Sequence, residues 1–279
     1  MGLVKKMKLP LAGLIVLLCT VLPLSASSRN ASDIINDLME DVFQQKLSDG
    51  EIKARYEGYS EELESLSASL SKSEYFYHKS LLEYWMGRAY QSFNDTETVI
   101  NHHQDVLDGH YLKLKRHYSA IEQTVHHYDL SLQAIEAYLE IEKDSEGLRQ
   151  YSEVQGQMIL LRPPGYALKN GLSVKRTLKK SLKLNPDNIK SKIMEGASDI
   201  YTPAVYGGNI DKGIEKLEEL ILLPGCDRED IFNIYTGIAY GLIVSDRNSE
   251  AGPWLSKAKD IYPHNIYLNG LIRLAEEEQ

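Results

Sequence analysis

From about residue 30 onward the apolar positions recur every three or four residues rather than every second one. Ile210, Ile214, Leu217 and Ile221 form one such stripe, with Glu215, Glu218 and Glu219 off it. Val174, Leu178 and Leu182 form another, flanked by Lys175, Arg176, Lys179, Lys180 and Lys183. A 3.6-residue period places such side chains on one face of a helix, so the pattern predicts helices throughout. No segment alternates with period two for long, which argues against a sheet. Breaks fall where Pro, Gly and Asn cluster, and the prolines are expected at element ends.

The breaks repeat. Pro186, Pro224 and Pro263 stand 38 and 39 residues apart, and Gly156, Gly196 and Gly237 stand 40 and 41 apart. A fixed period of roughly 20–50 residues marks units that cannot bury their apolar faces alone and must stack. Ser71, Gly109 and Glu146 extend the marks toward the N-terminus. The expected fold is all-α: a right-handed α-solenoid of about six helix-turn-helix units, at residues 32–71, 72–109, 110–147, 148–187, 188–225 and 226–264. A capping helix over residues 265–279, ending in Glu276, Glu277 and Glu278, would close it. Glycine inside a helix costs about 1 kcal/mol against alanine, so Gly156, Gly196 and Gly237 predict close helix crossings.

Gly237 and Tyr240 in a first helix, then Ala251, Leu255, Ala258 and Pro263 in a second, resemble the tetratricopeptide repeat, as do Gly87 and Tyr90 earlier. The resemblance covers residues 72–264 and implies the stacked architecture. The family's usual period of about 34 is exceeded here by four to six residues. Ser181 and Gly213 also stand where the family has alanine. The segment Tyr206-Gly207-Gly208-Asn209, continuing Asp211-Lys212-Gly213-Ile214, is similar to one in exported bacterial proteins of this kind. One such group is the T-component of certain TRAP transporters, solute-binding partners built around a central cavity. That narrower resemblance implies an accessory component of a solute transport system.

The first residues change the expected location. Lys5, Lys6 and Lys8 precede an almost wholly apolar run from Leu9 to Leu24, then Ser25-Ala26-Ser27-Ser28. Sixteen residues at about 1.5 Å each span about 24 Å, short of the roughly 30 Å hydrocarbon core. The build is that of a secretory signal peptide over residues 1–28, cleaved after Ala26, Ser27 or Ser28. An uncleaved anchor and lipidation of Cys19 are the alternatives, the latter giving the only expected membrane attachment of the mature chain. With Cys19 gone, Cys226 has no disulfide partner in the chain. The domain at 29–279 must then stand on its core.

Charge narrows the partners. The 31 basic and 40 acidic residues give a net −9, and loss of the three leader lysines takes this to about −12. Such a chain repels phosphate backbones, so nucleic acid is not an expected partner. The basic run Lys175–Lys183 is expected to be solvated or to pair with Asp211, Glu215, Glu218 and Glu219 on the next unit's second helix.

Two loops read Pro-x-x-Tyr at a spacing of 40 residues: Arg162-Pro163-Pro164-Gly165-Tyr166, and Thr202-Pro203-Ala204-Val205-Tyr206-Gly207-Gly208-Asn209. Proline fixes the exit from a helix, and glycine admits positive φ and close backbone approach. Pro163, Tyr166, Pro203, Tyr206, Gly207 and Gly208 are therefore candidates for a ligand or partner edge; the alternative is that the tyrosines plug their own units. Tyrosine is abundant, 18 against four Phe. Tyr75, Tyr77, Tyr84, Trp85 and Tyr90 cover more than one face of a helix, which makes Tyr84 and Trp85 candidates for a concave surface. Seven of the eight histidines lie between His78 and His127, with His103, His110 and His117 every seven residues. No His-x-x-x-His pair accompanies them, so no metal is expected. No phosphate-cradling glycine loop, Gly-x-Ser-x-Gly, Cys-His arrangement or paired-carboxylate motif is present. The expectation is a binding protein with no catalytic residue and no cofactor, engaging a protein, a peptide or a small apolar ligand. A structural scaffold in an envelope assembly, self-associated into a homo-oligomer, is the alternative, and a histidine-dependent metalloprotein a more distant one.

Overall fold

A computed structural model describes residues 29–101, 122–162, 164–202, 204 and 207–277. Among the described residues the regular structure is helical throughout. The helices are α1 (Ala31–Gln44), α2 (Asp49–Leu66), α3 (Lys72–Asn101), α4 (Glu122–Ile141), α5 (Ser145–Leu161) and α6 (Pro164–Leu184). They continue as α7 (Ile189–Tyr201), α8 (Ile210–Ile221), α9 (Arg228–Ile243), α10 (Asn248–Ile261) and α11 (Ile266–Glu277). No described helix is long and apolar enough to cross a membrane.

Helix starts follow the side chains available. Asn30, Asp144, Asn188, Asn209 and Asp227 each accept a backbone N–H three residues on, at 2.8–3.0 Å, satisfying a donor that has no partner inside the helix. Pro186, Pro224 and Pro263 fall in the turns that follow α6, α8 and α10. Pro253 does not sit at an element end: it lies inside α10, where its ring nitrogen forgoes one helix hydrogen bond. α3 runs unbroken for 30 residues, so the described part of 72–109 is one helix. The remainder of that interval and the start of the next, including His103, His110 and His117, lie outside the described residues.

Neighbouring helices pack in succession, most extensively α3 on α4, α5 on α6, α7 on α8 and α9 on α10. The crossings of α8 with α7 and α9 are as close as the glycines predict. A Cβ on Gly196 would meet Leu217 at 2.8 Å, one on Gly213 would meet Ile200 at 2.5 Å, and one on Gly237 would meet Leu217 at 2.9 Å. Gly156 is different: a Cβ there would meet nothing within 4 Å. The crossings of α3, α5, α6 and α7 use buried serines instead. Ser80 pairs with Ser131 at 3.0 Å, and Ser181 joins Ser145 at 2.9 Å and Ser191 at 2.8 Å. A hydroxyl is nearly as small as a methyl and bonds the backbone it approaches: Ser131 donates to Ser80 O at 2.8 Å and Ser181 to Ser145 O at 2.7 Å. Ser181 thereby does what alanine would do at a crossing while leaving no polar group unpaired.

The odd-numbered helices α3, α5, α7, α9 and α11 each touch the next, and α11 returns to α3. They form a closed inner tier, with α4, α6, α8 and α10 packed outside it. α1 seals the join. Phe43 stacks on Tyr262 at 5.2 Å and meets Phe232 and Trp85 edge-on, each at 5.6 Å. Glu40 accepts the Tyr262 hydroxyl at 2.7 Å and pairs with Arg228, while Asn265 donates to Phe43 O at 3.1 Å.

Candidate functional site

The two glycines singled out in the sequence shape the turn between α7 and α8. Gly207 has φ 87°, the left-handed region that side chains disfavour. A Cβ on Gly208 would stand 1.6 Å from Thr202 O, so only glycine permits the backbone to pass there. The fold-back is held by the Asn209 N–H, which donates to Asp199 O at 2.8 Å, and Asn209 then caps α8 through its side chain. The result is a cleft of about 480 Å³ lined by Ile200, Tyr201, Ala204, Gly208, Ile210 and Tyr240 among others. Pro203 and Tyr206, in the same turn, lie outside the described residues, as does Pro163 in the other.

Tyr201 forms the inner wall of this cleft. Its ring stacks on Tyr240 with centroids 4.6 Å apart, and its hydroxyl meets that of Tyr267 at 2.7 Å. Tyr201 keeps 38 % of its surface accessible, yet burial pushes its phenol up to about 12. Its exposed part lines the cleft, while its hydroxyl end is packed against Tyr267 and loses solvent. Burial likewise drives Tyr267 well above the ordinary phenol value, and Arg88 lies near enough to pull both phenols down in part.

Arg88 opens a polar seam along the inner tier. It donates to Gln91 and to Gln157 at 3.3 Å each, joining α3 to α5. Tyr84 donates to Glu153 at 3.0 Å, and Glu153 pairs with the buried Arg149, which also holds Glu146 at 2.8 Å. Asn188 donates to Glu146 at 2.6 Å. Lys190 reaches Asp227, Glu229 and Asp230 at 3.1, 3.0 and 2.8 Å. Those three carboxylates are spaced as metal ligands could be, but the Lys190 ammonium already bridges all three. Burial alone would lower Lys190; Glu229 and Asp230 more than offset it and hold the ammonium charged. Gly156 shares the α5 face of Arg149 and Glu153 at helical spacing, and its empty surroundings place unfilled volume beside this seam.

The remaining sequence candidates fall elsewhere. Tyr84 is buried, its ring tilted against Tyr128 at 5.8 Å and only its hydroxyl reaching the seam. Trp85 is buried core against Phe43 and Tyr84. Tyr166 is half-buried and donates to Gln155 at 2.8 Å, bracing the start of α6 on α5. Of the histidines, His127 is buried between Tyr90 and Tyr56, with Nδ1 at 2.7 Å from Glu83, which also takes Lys79 at 3.1 Å. Tyr201, Tyr267 and Arg88 escaped the sequence reading, and Tyr240 entered it only as a repeat position, because their convergence depends on helices up to 179 residues apart meeting in the inner tier. Comparison of the chain with protein-family models, with curated proteins and with solved structures finds no match.

Proposed function

We propose that this protein is an exported binding protein of tetratricopeptide-repeat type that holds a small ligand with an apolar body in the cleft lined by Tyr201. The observation that carries the reading is the cleft of about 480 Å³ between α7 and α8, walled by the stacked Tyr201–Tyr240 pair. Tyrosine faces and the Ile200 and Ile210 side chains suit an apolar body, and Asn209 and Ser245 in the same lining suit one polar group on it. The resemblance to the T-component of TRAP transporters supports the same reading, since the glycines that carry it build this cleft. In that role the protein serves a solute transport system as its accessory binding component.

The test is direct. Protein purified from its own envelope under native conditions is extracted and the extract examined by mass spectrometry, beside Tyr201→Ala and Tyr267→Phe variants. A discrete small molecule is expected from the wild type, much reduced in Tyr201→Ala and retained in part by Tyr267→Phe. No enriched molecule, together with no thermal shift across a panel of amphiphilic compounds, would overturn the reading.

A further inference from the structure

The helix that the proposed binding role leaves unused is α6. It carries Lys169, Lys175, Arg176, Lys179, Lys180 and Lys183 and no acidic residue, in a chain of net charge −9. Among the described residues none of these cations is in an ion pair; of the α8 acids expected to meet them, Asp211 pairs with Arg247 and Glu215, Glu218 and Glu219 are exposed. The reason is positional. α6 packs inward on α5 and, near its end, on α7, through Ser181 and Leu178. Among the described helices none packs on its outer side.

Helical spacing puts Lys169, Leu172, Arg176, Lys179, Lys180 and Lys183 on that outer side, where all six are exposed. From Lys169 to Lys183 the row extends about 21 Å. Leu172 is 67 % exposed and lies one turn from both Lys169 and Arg176, and Leu184, 56 % exposed, ends the row. Leu172 thus sets an apolar side chain among the cations of this face.

We propose that this face docks on an anionic lipid surface, with the cations at the headgroups and Leu172 entering the interfacial layer. Basic residues with a few apolar side chains on one helix face are what interfacial adsorption requires. In a net-acidic protein, a helix that gathers six cations and no acid is one that such a surface attracts. The inference stands independently of the ligand in the cleft. It agrees with reading residues 1–28 as an export segment, which brings the fold to a membrane.

The experiment uses the chain from residue 29 onward, which contains every described helix, and co-sedimentation with vesicles of phosphatidylcholine alone or with 30 % phosphatidylglycerol. Each cation near an anionic leaflet is worth about 1 kcal/mol, or about fivefold in partitioning. The triple variant Arg176→Gln, Lys179→Gln, Lys183→Gln should therefore bind the anionic vesicles about 100-fold more weakly, with an unchanged thermal midpoint. Leu172→Ser should weaken binding several-fold without altering its salt dependence. Wild-type protein that partitions no better into anionic than into neutral vesicles would overturn the proposal. So would equal binding by the triple variant. A wild-type oligomer in sedimentation velocity that the triple variant dissolves, without vesicle binding, would assign the face instead to a second copy and its acidic α8.

Discussion

Single residues here differ sharply in what they make possible. Gly156, Gly196 and Gly237 recur at one spacing, and the period invites one explanation for all three. The surroundings separate them: Gly196 and Gly237 press against Leu217, while Gly156 faces unfilled space. Ala at Gly156 should therefore recover helix propensity with no clash, raising stability by about 0.5–1 kcal/mol. Ala at Gly213 should do the reverse, because its Cβ would meet Gly196 O at 2.7 Å as well as Ile200, and backbone cannot step aside. Urea unfolding of the two variants checks the pair. Equal signs would show that the local contacts do not govern these positions. Sequence alone shows that a glycine is tolerated mid-helix; whether a neighbour fills its place depends on a partner helix that the local pattern does not name.

At the scale of the element, helix type and most helix ends were legible, because caps and breaks are local. Asn188, Asn209 and Asp227 announce α7, α8 and α9, and the turn prolines mark where α6, α8 and α10 have stopped. The candidate turn at residues 202–209 was legible for the same reason: its glycines are a backbone requirement and leave a local signature. The polar ties between helices were not. Glu83 is buried on α3, yet it accepts Tyr56 of α2 at 2.9 Å and faces His127 of α4 at 2.7 Å, with Lys79 beside it. Burial by itself would raise the Glu83 carboxyl; the His127 hydrogen bond and Lys79 more than offset this and hold it below the ordinary value. A carboxylate held low contributes stability above about pH 4.5, and that contribution fades as pH falls through its folded value. Glu83→Gln should thus cost about 1–3 kcal/mol at pH 7, as for a lost charged hydrogen bond, and distinctly less at pH 3. Thermal melts of variant and wild type at both pH values give the comparison, and a pH-independent difference would mean that Glu83 acts through packing alone.

The whole molecule shows what a repeat period cannot express. Open stacks of repeats gain stability from nearest neighbours, and their end units fray. Here the first described helix meets the last ones through Phe43, Glu40, Arg228, Tyr262 and Asn265, across 188 to 222 residues of chain for the hydrogen bonds. Nothing in the apolar pattern of α1 distinguishes a face that covers its neighbour from one that also closes the inner tier. Closure has an energetic signature, however. Phe43 touches Trp85 of α3, Phe232 of α9 and Tyr262 beyond α10, so its ring couples both ends of the chain to the tier between them. Truncation of a buried phenylalanine costs about 3–5 kcal/mol. If Phe43 belonged only to its own helix pair, Phe43→Ala would loosen α1 and α2 and leave α11 as it was. Because the contact is shared, Phe43→Ala should raise hydrogen exchange in α1 and in the turn between α10 and α11 together, while the amides of α7 and α8 stay protected. Exchange measured by mass spectrometry resolves these segments. Loss of protection in α1 without any change at residues 262–268 would show that the ends are merely adjacent, and that each helix pair stands without the closure.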